Sequence, residues 1–206
     1  MRWLQWFRSG TRAGVEEPSS PLPKAVEGAS PGITAIVDGL SHDREYSVLD
    51  LGQPSESTLE VYSRFARWVR FADITGAASP PASSAELAAR LPEPERPYDL
   101  VFAWDAPDRT PPEGRRRLID RVTEVAAPGA RLHVVTAAPD SESLHPLRFT
   151  LVDVGRMRYE PTGPARDGWP RLVPSEVEKL LRPFRVERRF TLKGGMLEYV
   201  AGLQES

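Results

Sequence analysis

From Ile33 onward apolar residues fall into two textures, short continuous runs and runs spaced by three or four, whereas the stretch before it shows neither. The continuous runs predict buried strands at Ser47 to Leu51, Trp68 to Ile74, Leu100 to Trp104 and Arg131 to Thr136, because a parallel sheet covered on both faces needs no polar alternation. Between them, Leu59, Tyr62, Phe65, Ala66 and Val69 recur at helical spacing. Leu118, Ile119, Val122, Val125 and Ala126 do the same within a helix from Glu113 to Ala126, which Pro128-Gly129 terminates. Ile33 to Leu40 predicts a short lead-in helix. Ser83 with Glu86, and Ser175 with Glu178, have capping-box spacing and predict helices through Leu91 and Leu181, the second ended by Pro183. Phe149 to Val154 predicts a further extended segment. Val186 to Leu192 and Met196 to Ala201, joined across Gly194-Gly195, predict a closing β-hairpin.

Strands alternating with helices predict an α/β, doubly wound sheet ending in an antiparallel β-hairpin. The strand ending at Leu51 belongs in its centre, flanked by those ending near Asp73 and Trp104, since that order brings all three ends to one edge. The chain of 206 residues holds one such domain, expected over residues 33–206. Residues 1–32 read as a flexible tail and linker, rich in Pro, Ser and Gly after the basic, aromatic start Met1-Arg-Trp-Leu-Gln-Trp-Phe-Arg8. Trp3, Trp6 and Phe7 suit either contact with a partner or membrane surface, or packing back on the domain.

Composition narrows the chemistry. A formal net charge of −2 argues against a dominant field for nucleic acid or anionic membrane. There is no cysteine, which removes disulfides, thiolate nucleophiles and cysteine-based zinc sites together. His42, His133 and His145 lack metal-ligand spacing, so no metal is expected. No apolar run approaches the roughly 20 residues of a membrane span, and the expected compartment is the cytoplasm.

Three segments carry a resemblance: Val48-Leu-Asp-Leu-Gly52, Tyr98-Asp-Leu-Val-Phe-Ala-Trp-Asp105, and Ala127-Pro-Gly-Ala-Arg-Leu-His-Val-Val135. Together they resemble the first and fourth motifs, and the turn and strand after the next helix, of class I S-adenosylmethionine (SAM)-dependent methyltransferases. The resemblance spans Ile33 to Leu203 and implies a Rossmann-like sheet of seven strands whose last runs against the others. It also implies SAM as cofactor, with Asp50 and Gly52 at its methionine portion and Asp73, 23 residues after Asp50, at its ribose hydroxyls. A carboxylate suits the ribose because it accepts two hydrogen bonds side by side. Trp104 either walls the pocket or belongs to the core. Asp105 is placed for the SAM amino group or a substrate donor.

The chain departs from the family pattern in two places. Gln53-Pro-Ser-Glu-Ser57 replaces the later glycines, and Pro54 lacks a backbone donor while Glu56 sets an anion near the loop. Between Asp73 and Tyr98 there is no third strand, nor the Asp expected at the adenine. In the family reaction the sulfonium is the activated electrophile, and the protein positions the acceptor. His133 reads as a core histidine. His145 is the better-placed base, with Tyr159 and Trp169 lining an acceptor pocket or a packed lid. The expected function is a SAM-dependent methyltransferase of an unidentified, preferably small-molecule acceptor, the alternative being a non-catalytic binding or assembly module of the same fold.

Overall fold

Tyr46 to Asp50 are five consecutive buried residues, and they form the strand around which the rest is arranged. The computed structural model describes residues 23–74, 83–137, 145–164 and 170–204. Along the chain these form β1 (Val26–Ala29), α1 (Pro31–Asp38), β2 (Tyr46–Asp50), α2 (Glu56–Tyr62), β3 (Ala66–Phe71), α3 (Ser84–Arg90), β4 (Tyr98–Trp104), α4 (Ala106–Arg109), α5 (Pro112–Val125), β5 (Ala126–Thr136), β6 (Leu147–Asp153), β7 (Arg156–Pro161), α6 (Pro174–Leu180), β8 (Phe184–Thr191) and β9 (Leu197–Leu203).

The main sheet has the order β3-β2-β4-β5-β9-β8. β2 pairs in parallel with both β3 and β4, Asp50 lying opposite Phe71 on one side and Phe102 on the other, so the expected central strand and its two neighbours are observed. β9 runs antiparallel to β5 and to β8, giving the closing hairpin. Ser47 fixes the register of β2 against β4, its N–H and hydroxyl donating to Asp99 at 2.9 and 2.7 Å.

Each face of the sheet has its own core. On one, Leu49, Leu51, Val101 and Leu132 pack with Leu87 of α3, Leu118, Ile119 and Val122 of α5, and Val177 of α6. On the other, Val48, Leu100 and Phe102 meet Ile33 and Ile36 of α1, Val61 and Tyr62 of α2, and a second sheet. Each of these Leu, Ile, Val or Phe side chains contributes about 1.5–3 kcal/mol through burial. The second sheet, ordered β1-β7-β6 and wholly antiparallel, lies over α2 as a lid.

Four expectations change. The seven strands that the resemblance implies are six among the described residues, with β3 outermost, in keeping with the missing third strand between Asp73 and Tyr98 in the sequence. Residues 26–32, expected as linker, belong to the fold: β1 pairs with β7 from Val26↔Tyr159 to Ala29↔Arg156, and Ser30 caps α1. The helix expected through Val69 stops at Tyr62, because Ala66 to Phe71 pair with β2 and that ladder outweighs a short run of helical spacing. The second capping box is displaced, Glu176 and not Glu178 accepting from the backbone N–H of Val173 at 3.0 Å. Residues 1–22, and with them Trp3, Trp6 and Phe7, lie outside the described residues.

Candidate functional site

β2 delivers Asp50 and Gly52 to the C-terminal edge of the sheet, where open α/β folds hold their ligands. Asp50 is 1% exposed, and its carboxylate accepts from the Gly52 N–H at 2.7 Å, the Tyr62 hydroxyl at 2.8 Å and the Trp104 indole N–H at 2.6 Å. Burial pushes its pKa up to about 6, although the Trp104, Gly52 and Tyr62 donors and the nearby His133 all act the other way. With three donors already in place, Asp50 shapes the loop floor. A Cβ on Gly52 would stand 3.0 Å from Asp50 Oδ1 and 3.1 Å from the indole, so the glycine is needed for this close packing.

Two residues beside Gly52 take the left-handed backbone conformation that side chains disfavour: Asp73, with φ 47°, just past β3, and Trp104, with φ 50°, ending β4. They are the only non-glycine residues with positive φ among the described residues. Asp73 is exposed and its N–H donates to the Gly52 carbonyl at 3.2 Å, which sets the acid beside the loop after β2. Trp104 is 1% exposed and belongs to the core.

Trp104 also joins an aromatic ladder that runs from α2 to the lid. Tyr62 lies 5.0 Å from Phe102, Phe102 5.8 Å from Trp104, Trp104 stacks on Phe149 of β6 at 5.2 Å and 8°, and Phe149 lies 6.1 Å from Tyr159 of β7. The Tyr159 hydroxyl donates to the Lys193 carbonyl in the β8–β9 turn. Burial pushes the Tyr159 hydroxyl above its ordinary range. The lid is fastened at the loop too, Arg148 Nε donating to Gln53 Oε1 at 2.9 Å and the Leu151 N–H to Thr58 Oγ1 at 3.0 Å. Tyr159 therefore sits in a packed lid.

Asp105 follows Trp104 and is 7% exposed. Its Oδ1 has no hydrogen-bond partner, and the nearest cation is Arg109 at 4.0 Å. Burial raises its pKa to about 7; Arg109 opposes the rise and Asp108 adds to it. A carboxyl titrating near neutrality can exchange a proton. His145, half-buried, bonds through Nδ1 to the Gly163 carbonyl at 3.1 Å and makes no observed contact with the Asp50 cluster. Trp169 lies outside the described residues. Glu56, expected at the loop mouth, opens the first turn of α2, where a negative charge favours the helix. Two open clefts, of about 470 and 640 Å³, lie at the opposite, N-terminal ends of β2 to β4.

The sequence reading singled out Asp50 and Trp104 but missed Tyr62, Gln53, Arg148 and the partners of His133. His133 is fully buried and its Nε2 lies 2.7 Å from Glu198 Oε1; Glu198 also accepts from the Ser30 hydroxyl and, at 2.8 Å, from the Gly32 N–H. Burial would raise the Glu198 pKa, but His133, Ser30 and Gly32 together hold it below the ordinary range. The readable signal was an acid inside the otherwise apolar run of β9.

Strand order, crevice and closing hairpin decide the architecture. The chain has the class I methyltransferase fold. It is similar to N-methyltransferase NodS from Bradyrhizobium japonicum WM9, at 13% identity over 84% of this chain and 94% of that one, with a TM-score of 0.51. The same enzyme in complex with S-adenosyl-L-homocysteine is similar at 12% identity over 84% and 86%, with a TM-score of 0.50. A SAM-dependent methyltransferase from Aquifex aeolicus is similar at 16% identity over 83% and 89%, with a TM-score of 0.48. No family model and no curated protein matches the chain. Of the three aspartates expected at this edge, Asp50 is committed to protein donors, Asp73 is exposed, and Asp105 keeps an unpartnered Oδ1. Among the described residues no group of three or more His, Asp or Glu could hold a metal ion, and no helix is long and apolar enough to cross a membrane.

Proposed function

We propose that the chain binds SAM along the edge formed by β2, β3 and β4 and transfers its methyl group to a small-molecule acceptor. The observation that carries this reading is the pair of left-handed residues, Asp73 and Trp104, flanking Gly52, because backbone strain of about 1–3 kcal/mol per residue persists where the surroundings impose it and clusters at ligand sites. The likeness in fold to an enzyme solved with S-adenosylhomocysteine supports it. When bound, SAM supplies an electrophilic methyl group. Asp73 binds the ribose, Gly52 and Asp50 hold the loop, and Trp104 shields the crevice from water on the β4 side. Asp105, in place of His145, accepts the proton that the acceptor loses, since its Oδ1 is buried without a partner. The cytoplasmic setting remains part of this proposal.

A second reading is binding without catalysis, in which the Trp104–Phe149 stack at 5.2 Å serves only to pack the lid on the main sheet. Titration calorimetry of the full chain with SAM and S-adenosylhomocysteine tests both. Binding of both, with methyl transfer to some member of an acceptor panel, is the expected result. Binding without transfer leaves the second reading, and no heat with either ligand overturns both.

A further inference from the structure

The loop after β2 has spent or lost two of the donors that a glycine-rich loop would turn toward an anionic group. The Gly52 N–H points inward to Asp50 Oδ1, and Pro54 has none. Yet a cation is held at this loop. Arg148, from β6 of the lid, donates through Nε and Nη2 to the single side-chain oxygen of Gln53, the residue directly after Gly52. Its remaining nitrogen, Nη1, lies 4.0 Å from Glu160, its cross-strand neighbour on β7, and its side chain remains 48% exposed.

Such an arrangement is a weak resting state for an arginine. Two N–H groups share one neutral amide oxygen, while the guanidinium fork matches both oxygens of a carboxylate and gains from the charge. Glu160 is the acid already within reach, but at 4.0 Å and 42% exposure it holds Arg148 loosely. Resting on the SAM reading above, we propose that Arg148 is the anchor for the carboxylate of the ligand's amino-acid arm, with Gln53 as the partner it leaves when that arm arrives. The lid thereby supplies the charge that the loop backbone lacks. Because the neighbouring Phe149 is stacked on Trp104, Arg148 is presented to the loop by a fixed strand.

The test compares two ligands that differ only in that arm, S-adenosylhomocysteine and 5′-methylthioadenosine, by calorimetry on the full chain and on Arg148→Gln and Arg148→Lys. Arg148→Gln is expected to weaken S-adenosylhomocysteine by about ten- to a hundredfold and to change 5′-methylthioadenosine less than about twofold. Arg148→Lys, which keeps the charge and loses the fork, should fall between. Equal weakening of both ligands, or no change in either, would overturn the assignment while leaving the SAM reading intact. Absence of binding by the unsubstituted chain to both ligands would remove the SAM reading and this assignment together. Unchanged melting temperatures in the two variants keep a folding defect from imitating the expected result.

Discussion

Asp50 and Glu198 are both buried carboxylates facing three donors, yet burial wins at one and loses at the other. Asp50 is lifted to about 6 and Glu198 is held below its ordinary value. The number of hydrogen bonds does not separate them. The kind of donor in direct contact contributes, although His133 acts downward on both. Asp50 meets an amide, a phenol and an indole, all neutral, whereas Glu198 meets an imidazole that can carry charge and the first turn of α1, where unpaired N–H groups favour an anion. One carboxylate is therefore a strained floor beneath the crevice. The other is the fastening of the N-terminal segment.

The largest effect should come from breaking that fastening. Glu198→Ala leaves His133 Nε2, Ser30 Oγ and the Gly32 N–H without their acceptor in a fully buried site, and should cost about 3–5 kcal/mol in denaturant unfolding. A cost under about 1 kcal/mol would show that α1 is held by its apolar face alone.

Opposite shifts give opposite pH dependences. The folded pKa of Asp50 lies above its unfolded value of 3.8, so its stabilisation is complete below that value and is lost as pH rises through about 6, roughly 3 kcal/mol in all. Asp105 acts in the same direction, its window reaching about 7. Glu198 contributes above its unfolded value of 4.5 and loses its contribution as pH falls through its lower folded pKa. The melting temperature should therefore peak well on the acid side of neutrality, near pH 4, where the gain from Glu198 meets the losses at Asp50 and Asp105. Asp50→Asn should flatten the decline between about pH 4 and 6, and Glu198→Gln the decline on the acid side. A profile unchanged by either substitution would break the comparison.

Asp73 is the control, a carboxylate at the same edge but exposed to solvent. Asp73→Ala should weaken SAM binding by about 1–3 kcal/mol, read by calorimetry, and lower unfolding stability by about 1 kcal/mol or less, since alanine tolerates the left-handed backbone less well than aspartate. Smallest of all, Asp73→Gly should raise stability by up to about 1 kcal/mol by relieving the left-handed backbone, offset in part by the freer unfolded chain. Loss of stability in that variant would mean that the Asp73 side chain, and not its backbone turn, organises the strand end.

The sheet was legible because Ser47 to Leu51, Leu100 to Trp104 and Arg131 to Thr136 are runs that only a doubly covered sheet can bury, and because Gly194 and Gly195 adopt the positive φ values their turn requires. The lid was less so. Met157 and Tyr159 alternate with exposed arginines across β7, a readable period of two, but its partner β1 lies in a stretch with almost no apolar pattern and is set by pairing with residues far along the chain. Phe65, Ala66 and Val69 fit a helical spacing as well as a strand, and only the ladder with β2 decides between them. At the site, Asp50, Gly52 and Trp104 were visible through their motifs. That Asp50 is already occupied was not, since Tyr62 and Trp104 are brought to it by the fold.

The bond between Ser30 and Glu198 joins residues 168 apart, and Gly32 reaches the same carboxylate across 166. Ser30 caps the first turn of α1 locally, but during synthesis the Gly32 N–H and the Ser30 hydroxyl wait for nearly the whole chain before their acceptor Glu198 arrives, on the order of ten seconds at about 5–20 residues per second. Until β9 pairs with β5, the apolar face formed by Ile33 and Ile36 has no completed surface to cover. Closing so long a loop adds little entropy beyond that of a medium one, so the delay is kinetic. The first helix among the described residues is among the last pieces to be secured, and the interval is a window in which a chaperone or a second nascent chain can bind it.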